Sequence, residues 1–269
     1  MKTTFNARPI GFPSKFIAPV DIIIPFYGQY HLVTELIESI YRFTRSNYFT
    51  ITVVDDHSPN EAFLKSMHNN ARKTSNLRNV TNNFRAIRGT KQRGFAGALK
   101  VAYERTENPY ICVLHSDCRV ERSSWLRTMG EELLRLKKDQ VKMVSPLTNN
   151  CVDGHPAQGD REMLEYRRFV IDGDGKDDFL SMYCFLCHRD LFTHCGFLQE
   201  YPYAGFENRE FAVRMRKKGF KQAVVGESYI RHEGHKTTNG LKRDQEIRHI
   251  IEEENKFRFE RDTGITLEE

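Results

Sequence analysis

The feature that most constrains this chain is a repeated unit. A short apolar, β-branched run stops at a polar residue and is followed by a segment whose apolar residues recur at helical spacing. The run VDIIIP at residues 20–25 shows no alternation apart from Asp21, the pattern of a parallel strand covered on both faces. Leu32, Leu36, Ile37, Ile40 and Tyr41 then mark one face of a helix over 31–43. The same logic predicts a strand at 48–55, a helix at 60–71, a helix at 94–105 and a strand at 110–114. An amphipathic helix at 125–137 and a strand at 141–145 continue the rhythm. Strands alternating with helices predict an α/β fold, Rossmann-like, with a mostly parallel sheet and helices on both faces.

Three stretches break the pattern. Residues 1–19 carry three prolines and read as a surface arm. Between 149 and 178, Gly154, Gly159, Gly173 and Gly175 sit among many acidic residues, which marks loop-rich structure near a site on the acceptor side rather than a linker. Apolar character returns at 179–187, a helix starts at Glu207, and a strand at 225–232 delivers His232. The tail places Leu241, Ile247, Ile250, Ile251 and Phe257 between charges, as in a helix that docks on the domain or pairs two copies into a homodimer. The predicted organisation is an arm at 1–19, one domain at 20–238 and a helical tail at 239–269.

Composition narrows the class. With 39% hydrophobic and 29% charged residues, a packed core under a charged exterior is within reach and disorder is excluded for most of the chain. The net charge of +5 suits phosphate-bearing ligands without requiring nucleic acid. No apolar stretch is long enough for a membrane span, and the opening residues lack the apolar core of a secretory leader. Six cysteines in such a chain read as reduced thiols, so a soluble, cytoplasmic protein is expected. Cys184 and Cys187 have zinc or redox spacing. No second pair accompanies them, and their setting, LSMYCFLCHRD, reads as a buried strand, so they are taken as structural.

In an open parallel sheet the ligand crevice lies beyond the carboxyl ends of the strands. Three such ends carry chemistry. Pro25, Phe26 and Tyr27 offer aromatic cover for a flat base. Asp55 and Asp56 offer acceptors for a base imide or ribose hydroxyls, or else cap a helix. His115, Ser116 and Asp117 offer oxygen and nitrogen to a divalent cation. Arg93 and Gly94, in RGFAGA, combine charge for a phosphate with a backbone that a ligand can approach closely. Glu207 and Glu210 open a helix, where the macrodipole alone would also favour them.

Taken in order, the stretches VDIIIPFYGQ, ITVVDDHSPN, RGFAGALKVAYERTENPYICVLHSDCRV, SSWL, CFLCHRDLFTHCGFLQEYPYAGFENREFAVRMRKKGF and YIRHEGHKT resemble the inverting family-2 nucleotide-sugar glycosyltransferases of GT-A fold, rhamnosyl-type members included. The resemblance runs from about residue 20 to 237. It implies that Phe26, Tyr27 and Asp55 or Asp56 hold the nucleotide base and ribose, and that Arg93 approaches the base or diphosphate. Asp117 matches the last carboxylate of the family's D-x-D metal motif, with His115 standing where Asp or Asn is usual. His232 matches the histidine that completes the metal or diphosphate contacts, with His235 or Thr237 nearby. The implied cofactor is Mn²⁺ or Mg²⁺. The family's usual base position is Asn208 here, which accepts no proton at working pH, so either the role passes to Glu207 first or to Glu210, or the acceptor needs less deprotonation than usual.

The implied reaction is transfer of a sugar from a nucleotide diphosphate, UDP among the candidates, to a hydroxyl with inversion. A glycan or lipid-linked saccharide is the first acceptor class. Basic clusters at Arg85, Arg88, Lys91 and Arg93 and at Arg214, Arg216, Lys217 and Lys218 make hydroxylated bases of DNA the second. A non-catalytic nucleotide-sugar binding module, suggested by Asn208 and His115, is the rival from another class. A nucleotidyltransferase is disfavoured because no glycine- or lysine-rich triphosphate loop follows Pro25.

Overall fold

The computed structural model describes residue 16 and residues 18–44, 49–59, 84–151, 154–159, 168–172, 178–203, 205–234 and 245–267. The expected helix at 60–71, most of the arm, His235, Thr237, Leu241 and much of the 149–178 segment lie outside them.

Among the described residues the strands are β1 (Val20–Phe26), β2 (Phe49–Asp55), β3 (Phe84–Arg88), β4 (Tyr110–Leu114), β5 (Cys118–Val120), β6 (Val141–Leu147), β7 (Arg168–Ile171), β8 (Cys184–His188) and β9 (Lys221–His232). They form one sheet in the order β3-β2-β1-β4-β8-β6-β9-β5, with β7 also on β9. The pairs β3/β2, β2/β1, β1/β4 and β6/β9 are parallel. β8 runs antiparallel between β4 and β6. The order reverses at β1, whose two neighbours are β2 and β4. This is the switch point above which α/β sheets open a ligand crevice.

Every residue of β1 is buried, and its side chains divide between two cores. Ile22 and Ile24 join the cluster under helix α1 (Tyr30–Phe43) and helix α3 (Trp125–Arg135), whereas Ile23 joins the cluster under α2 (Gly94–Tyr103). Each buried isoleucine contributes roughly 1.5–3 kcal/mol, and the period-2 alternation delivers them to both faces. α1 presents Val33, Leu36, Ile37, Ile40 and Tyr41 to its core, as its spacing predicts. Cys184 and Cys187, three positions apart on β8, fall in opposite clusters and cannot share an ion; all six cysteines are free thiols.

At the amino ends of the strands, away from the crevice, Asp21 is buried and fully engaged. It accepts from the Asn108 N–H at 2.9 Å, the Asn108 side chain at 2.8 Å, Arg189 at 3.1 Å and the Thr50 hydroxyl. That network ties β1, β2, the approach to β4 and the exit of β8 together.

The remaining helices are α4 (Asp190–Cys195), α5 (Glu207–Lys217), α6 (Gln245–His249) and α7 (Asn255–Thr263), with a π-helical turn at Ile250–Glu254 joining the last two. Three strands escaped the sequence reading. β3 is a half-exposed edge containing two arginines, β5 has three residues, and β7 lies in a stretch expected to be loop. No helix among the described residues is long and apolar enough to cross a membrane.

Candidate active site

The first two strand ends are locked together. The Gly28 N–H donates to the Ser58 hydroxyl at 2.8 Å, and the Asp56 N–H donates to the Phe26 carbonyl at 2.8 Å. Asp55 is fully buried, accepting from the Ser58 N–H at 2.8 Å and from Arg88, which also reaches the Ser58 carbonyl at 2.8 Å. Asp56 accepts the Arg93 and Gly94 N–H groups at 2.9 and 2.8 Å, so its carboxylate meets the positive end of α2. Burial raises Asp56 to about 6, against the pull of those two donors. Both aspartates therefore build the crevice wall from within. Pro25 and Phe26 are buried, Phe26 against Tyr30 at 6.0 Å, whereas Tyr27 is only half-buried.

The third strand end meets β9. Cys118 pairs with His232 in the β5/β9 register, and the Glu233 N–H donates to the Asp117 carbonyl at 3.0 Å. This register is reached because β9 is irregular: it follows β6 through Val225, then skips to Tyr229 opposite Leu147. His115, Asp117 and His232 consequently converge, each with one ligand atom, all within 4.8 Å of one another. Ser116 is buried between them in sequence.

The donor set fits a divalent cation. His232 Nδ1 lies 3.2 Å from the Asn150 carbonyl, so that nitrogen carries the proton and donates. Nε2 is then left with a lone pair, buried and without a hydrogen-bond partner among the described residues, 3.3 Å from Asp117 Oδ1. A lone pair facing a carboxylate is unfavourable until a cation stands between them. Asn149 clamps His232 from its backbone, accepting its N–H at 2.8 Å and donating to its carbonyl at 3.1 Å, and Tyr183 stacks on the imidazole at 5.0 Å.

Across the crevice lies the segment that leads into α5. A side chain on Gly94 would meet the Tyr201 and Tyr203 carbonyls at 3.0 and 3.2 Å, so the start of α2 packs directly on this segment. Arg93 points the same way and pairs with Glu200, which the sequence reading did not single out. Both partners are about one-third exposed, so the pair contributes little stability. Tyr203, Gly205 and Phe206 have φ of 64°, 103° and 68°; each non-glycine residue so placed costs on the order of 1–2 kcal/mol. Immediately after this turn, Glu207 is 6% exposed and its Oε1 has no hydrogen-bond partner among the described residues. Burial drives its carboxyl up to about 8, offset in part by the Glu207 and Gly205 N–H groups. Glu210 differs: both its oxygens are taken by Arg214, one at 2.6 Å.

Several basic residues of the sequence clusters are likewise engaged: Arg88 by Asp55, Arg93 by Glu200, Arg214 by Glu210 and Arg216 by the Phe220 carbonyl at 3.1 Å. Arg88, Asn149, Tyr183 and Glu200 support the site without any local sequence signal, since each acts through a partner distant in the chain.

A central sheet that reverses its order at β1, with a candidate His, Asp, His cation site at the neighbouring strand ends, is a mixed α/β arrangement of GT-A architecture. More narrowly, the chain belongs to glycosyl transferase family 2, whose family model matches residues 21–196. Among solved structures it is similar to a mannosyltransferase, PcManGT from Pyrobaculum calidifontis, in complex with GDP-Man and Mn²⁺, at 16% identity and a TM-score of 0.61, over 88% of this chain and 62% of that one. It is similar to GalNAc-T7 with UDP, GalNAc and Mn²⁺ at 15% identity and 0.62, over 93% and 55%. A third likeness is to S. aureus TarS 1-349, at 16% and 0.55, over 80% and 60%. The chain thus spans less than two thirds of each of these three. At such identities the likeness establishes the fold. No curated protein matches this chain by sequence.

Proposed function

We propose that this chain is an inverting, metal-assisted glycosyltransferase that moves a sugar from a nucleoside diphosphate to a hydroxyl of a saccharide acceptor, a glycan or a lipid-linked saccharide. The observation that carries the reading is the meeting of His115, Asp117 and His232, with the orphaned His232 Nε2, at the edge of the switch-point crevice. Those three residues would hold the cation, and Mn²⁺ accompanies the donors or nucleotides in two of the similar structures. When bound, the cation supplies positive charge that offsets the charge developing on the departing diphosphate.

The chain's own residues supply the rest. Tyr27 is exposed enough to cover the base, Asp56 has acceptor capacity left for the ribose or base while the fully buried Asp55 supports it from behind, and Arg93, released from Glu200, meets diphosphate charge. On the opposite face of the sugar, Glu207 takes the acceptor's proton through its free Oε1 as the acceptor oxygen bonds to the anomeric carbon. The bond from that carbon to the diphosphate oxygen breaks, its electron pair leaves with the diphosphate, and a single displacement inverts the configuration. General-base assistance of this kind is typically worth 10²–10⁴-fold. The ion pair with Arg214 leaves Glu210 a structural part.

The test is incubation with UDP-, dTDP- and GDP-sugars and Mn²⁺ or Mg²⁺. Slow hydrolysis of one donor to a sugar of inverted configuration, read by NMR and lost in Asp117→Ala, is expected. Tight binding of a donor without turnover, with or without acceptor saccharides, would instead make the protein a binding module.

A further inference from the structure

The proposed base does not hold its own position. Its backbone lead-in contains left-handed residues at Tyr203 and Phe206, conformations that side-chain-bearing residues adopt only where their surroundings enforce them. The start of α2 packs on the Tyr203 side, and the remaining surroundings come from the C-terminal helix, which lies beyond the part of the chain matched by the family model. Phe259, fully buried, stacks on the Phe206 ring at 5.5 Å with an interplanar angle of 28°. Asn255, 1% exposed, donates its side-chain N–H to the Pro202 carbonyl at 3.0 Å. Ile251, in the π-helical turn, comes within 4.0 Å of where a side chain on Gly205 would stand. Arg258 lies over the Tyr201 ring at 5.3 Å.

We propose that the C-terminal helix is the positioning element of the reaction, with Phe259 and Asn255 fixing the Pro202 to Phe206 turn so that Glu207 stays buried with one oxygen free for the acceptor. The inference rests on Glu207 as the base and assigns a role to a segment that the family match leaves unexplained. Phe259 and Asn255 are positioning residues: neither needs to touch substrate.

The groups around Glu207 define what a readout can report. Tyr201 is the titratable neighbour that feels the Glu207 charge, and around Tyr201 gather Glu210, paired with Arg214 on α5, and Arg258 and Asp262 from α7. Burial, not any of these charges, is the main cause of the raised carboxyl. Loosening the turn therefore admits water and lowers it.

The experiment compares the full chain with Phe259→Ala, Phe259→Leu and Asn255→Ala, using the donor and acceptor found active. In Phe259→Ala, kcat is expected to fall on the order of 10- to 100-fold with donor KM and Mn²⁺ binding unchanged, and the midpoint of the rising pH profile to move down from about 8. Phe259→Leu, which keeps apolar bulk against Phe206, restores most of both. Should Phe259→Ala not fold, Asn255→Ala takes its place, since it removes the bond to the Pro202 carbonyl and leaves the Phe259 ring in place. A uniform loss of thermal stability with kcat and pH midpoint unmoved overturns the proposal. Glu207→Gln, run alongside, reports separately on the base: if it retains full transfer, that reading fails by itself. Positioning is then judged by hydrogen exchange at Gly205, Glu207 and Glu210, where unchanged protection in Phe259→Ala overturns it and lost protection sustains it.

Discussion

His232 Nε2 and Asp117 Oδ1 face each other at 3.3 Å, buried, although one ends β9 and the other follows β4. The three-residue β5 brings them together: Cys118 stands opposite His232, and its neighbour Asp117 follows. The imidazole proton is committed to the Asn150 carbonyl on the far side, so the facing atoms are both electron-rich. A cation between them would resolve that conflict.

Asn149 holds His232 by two backbone hydrogen bonds. Asn149→Ala should weaken Mn²⁺ binding about 10- to 100-fold, the usual effect of losing an orienting partner, with the melting temperature little changed. Titration calorimetry with Mn²⁺ measures this; an unchanged affinity would detach Asn149 from the site.

Two imidazoles and one carboxylate favour transition-metal ions over Mg²⁺, which prefers oxygen ligands. His115→Asp should therefore narrow the gap between Mn²⁺ and Mg²⁺, visible as the ratio of their thermal shifts. Equal ratios in the two proteins would mean that His115 does not contact the ion.

Glu207 ionises near 8 because it is buried. The transfer rate at saturating substrates should rise with pH through that value, and Glu207→Gln should abolish the rise with a loss on the order of 10²- to 10⁴-fold. Glu210→Gln should lower stability by releasing Arg214 while keeping the rise. The linkage has a definite sign. A carboxyl whose folded pKa is raised weakens the fold as pH climbs from about 4.5 to about 8, because only the unfolded chain ionises freely there. Wild type should thus lose melting temperature relative to Glu207→Gln between about pH 4.5 and 8, the range set by those two values.

Asp21 sits at the opposite end of the sheet and accepts from Thr50, Asn108 and Arg189. Asp21→Ala leaves buried donors unmet and should cost about 3 kcal/mol, read as a lower denaturation midpoint. The affinity for Mn²⁺ of the protein that remains folded should not change, because the cation ligands lie at the other strand ends.

What the sequence determined by itself is the part governed by local periodicity and by strand ends. The unbroken run at Ile22, Ile23 and Ile24 requires burial on two faces, and the helical spacing from Leu32 to Tyr41 requires a core on one side; both elements formed where that chemistry demanded. His115, Asp117 and His232 were legible as candidate cation ligands because each closes or follows an apolar strand. Tertiary structure alone decided the rest. β8 looks like its parallel neighbours in sequence but runs against them, since strand direction depends on the connection and not on composition. Asp55 and Asp56 turned out to be engaged by Arg88 and by the start of α2, and Glu210 by Arg214, because hydrogen-bond partners distant in the chain are invisible to a local pattern. Glu207 differs from Glu210, three positions later, only in having no cation to neutralise it, and that difference in environment is a property of the packed molecule.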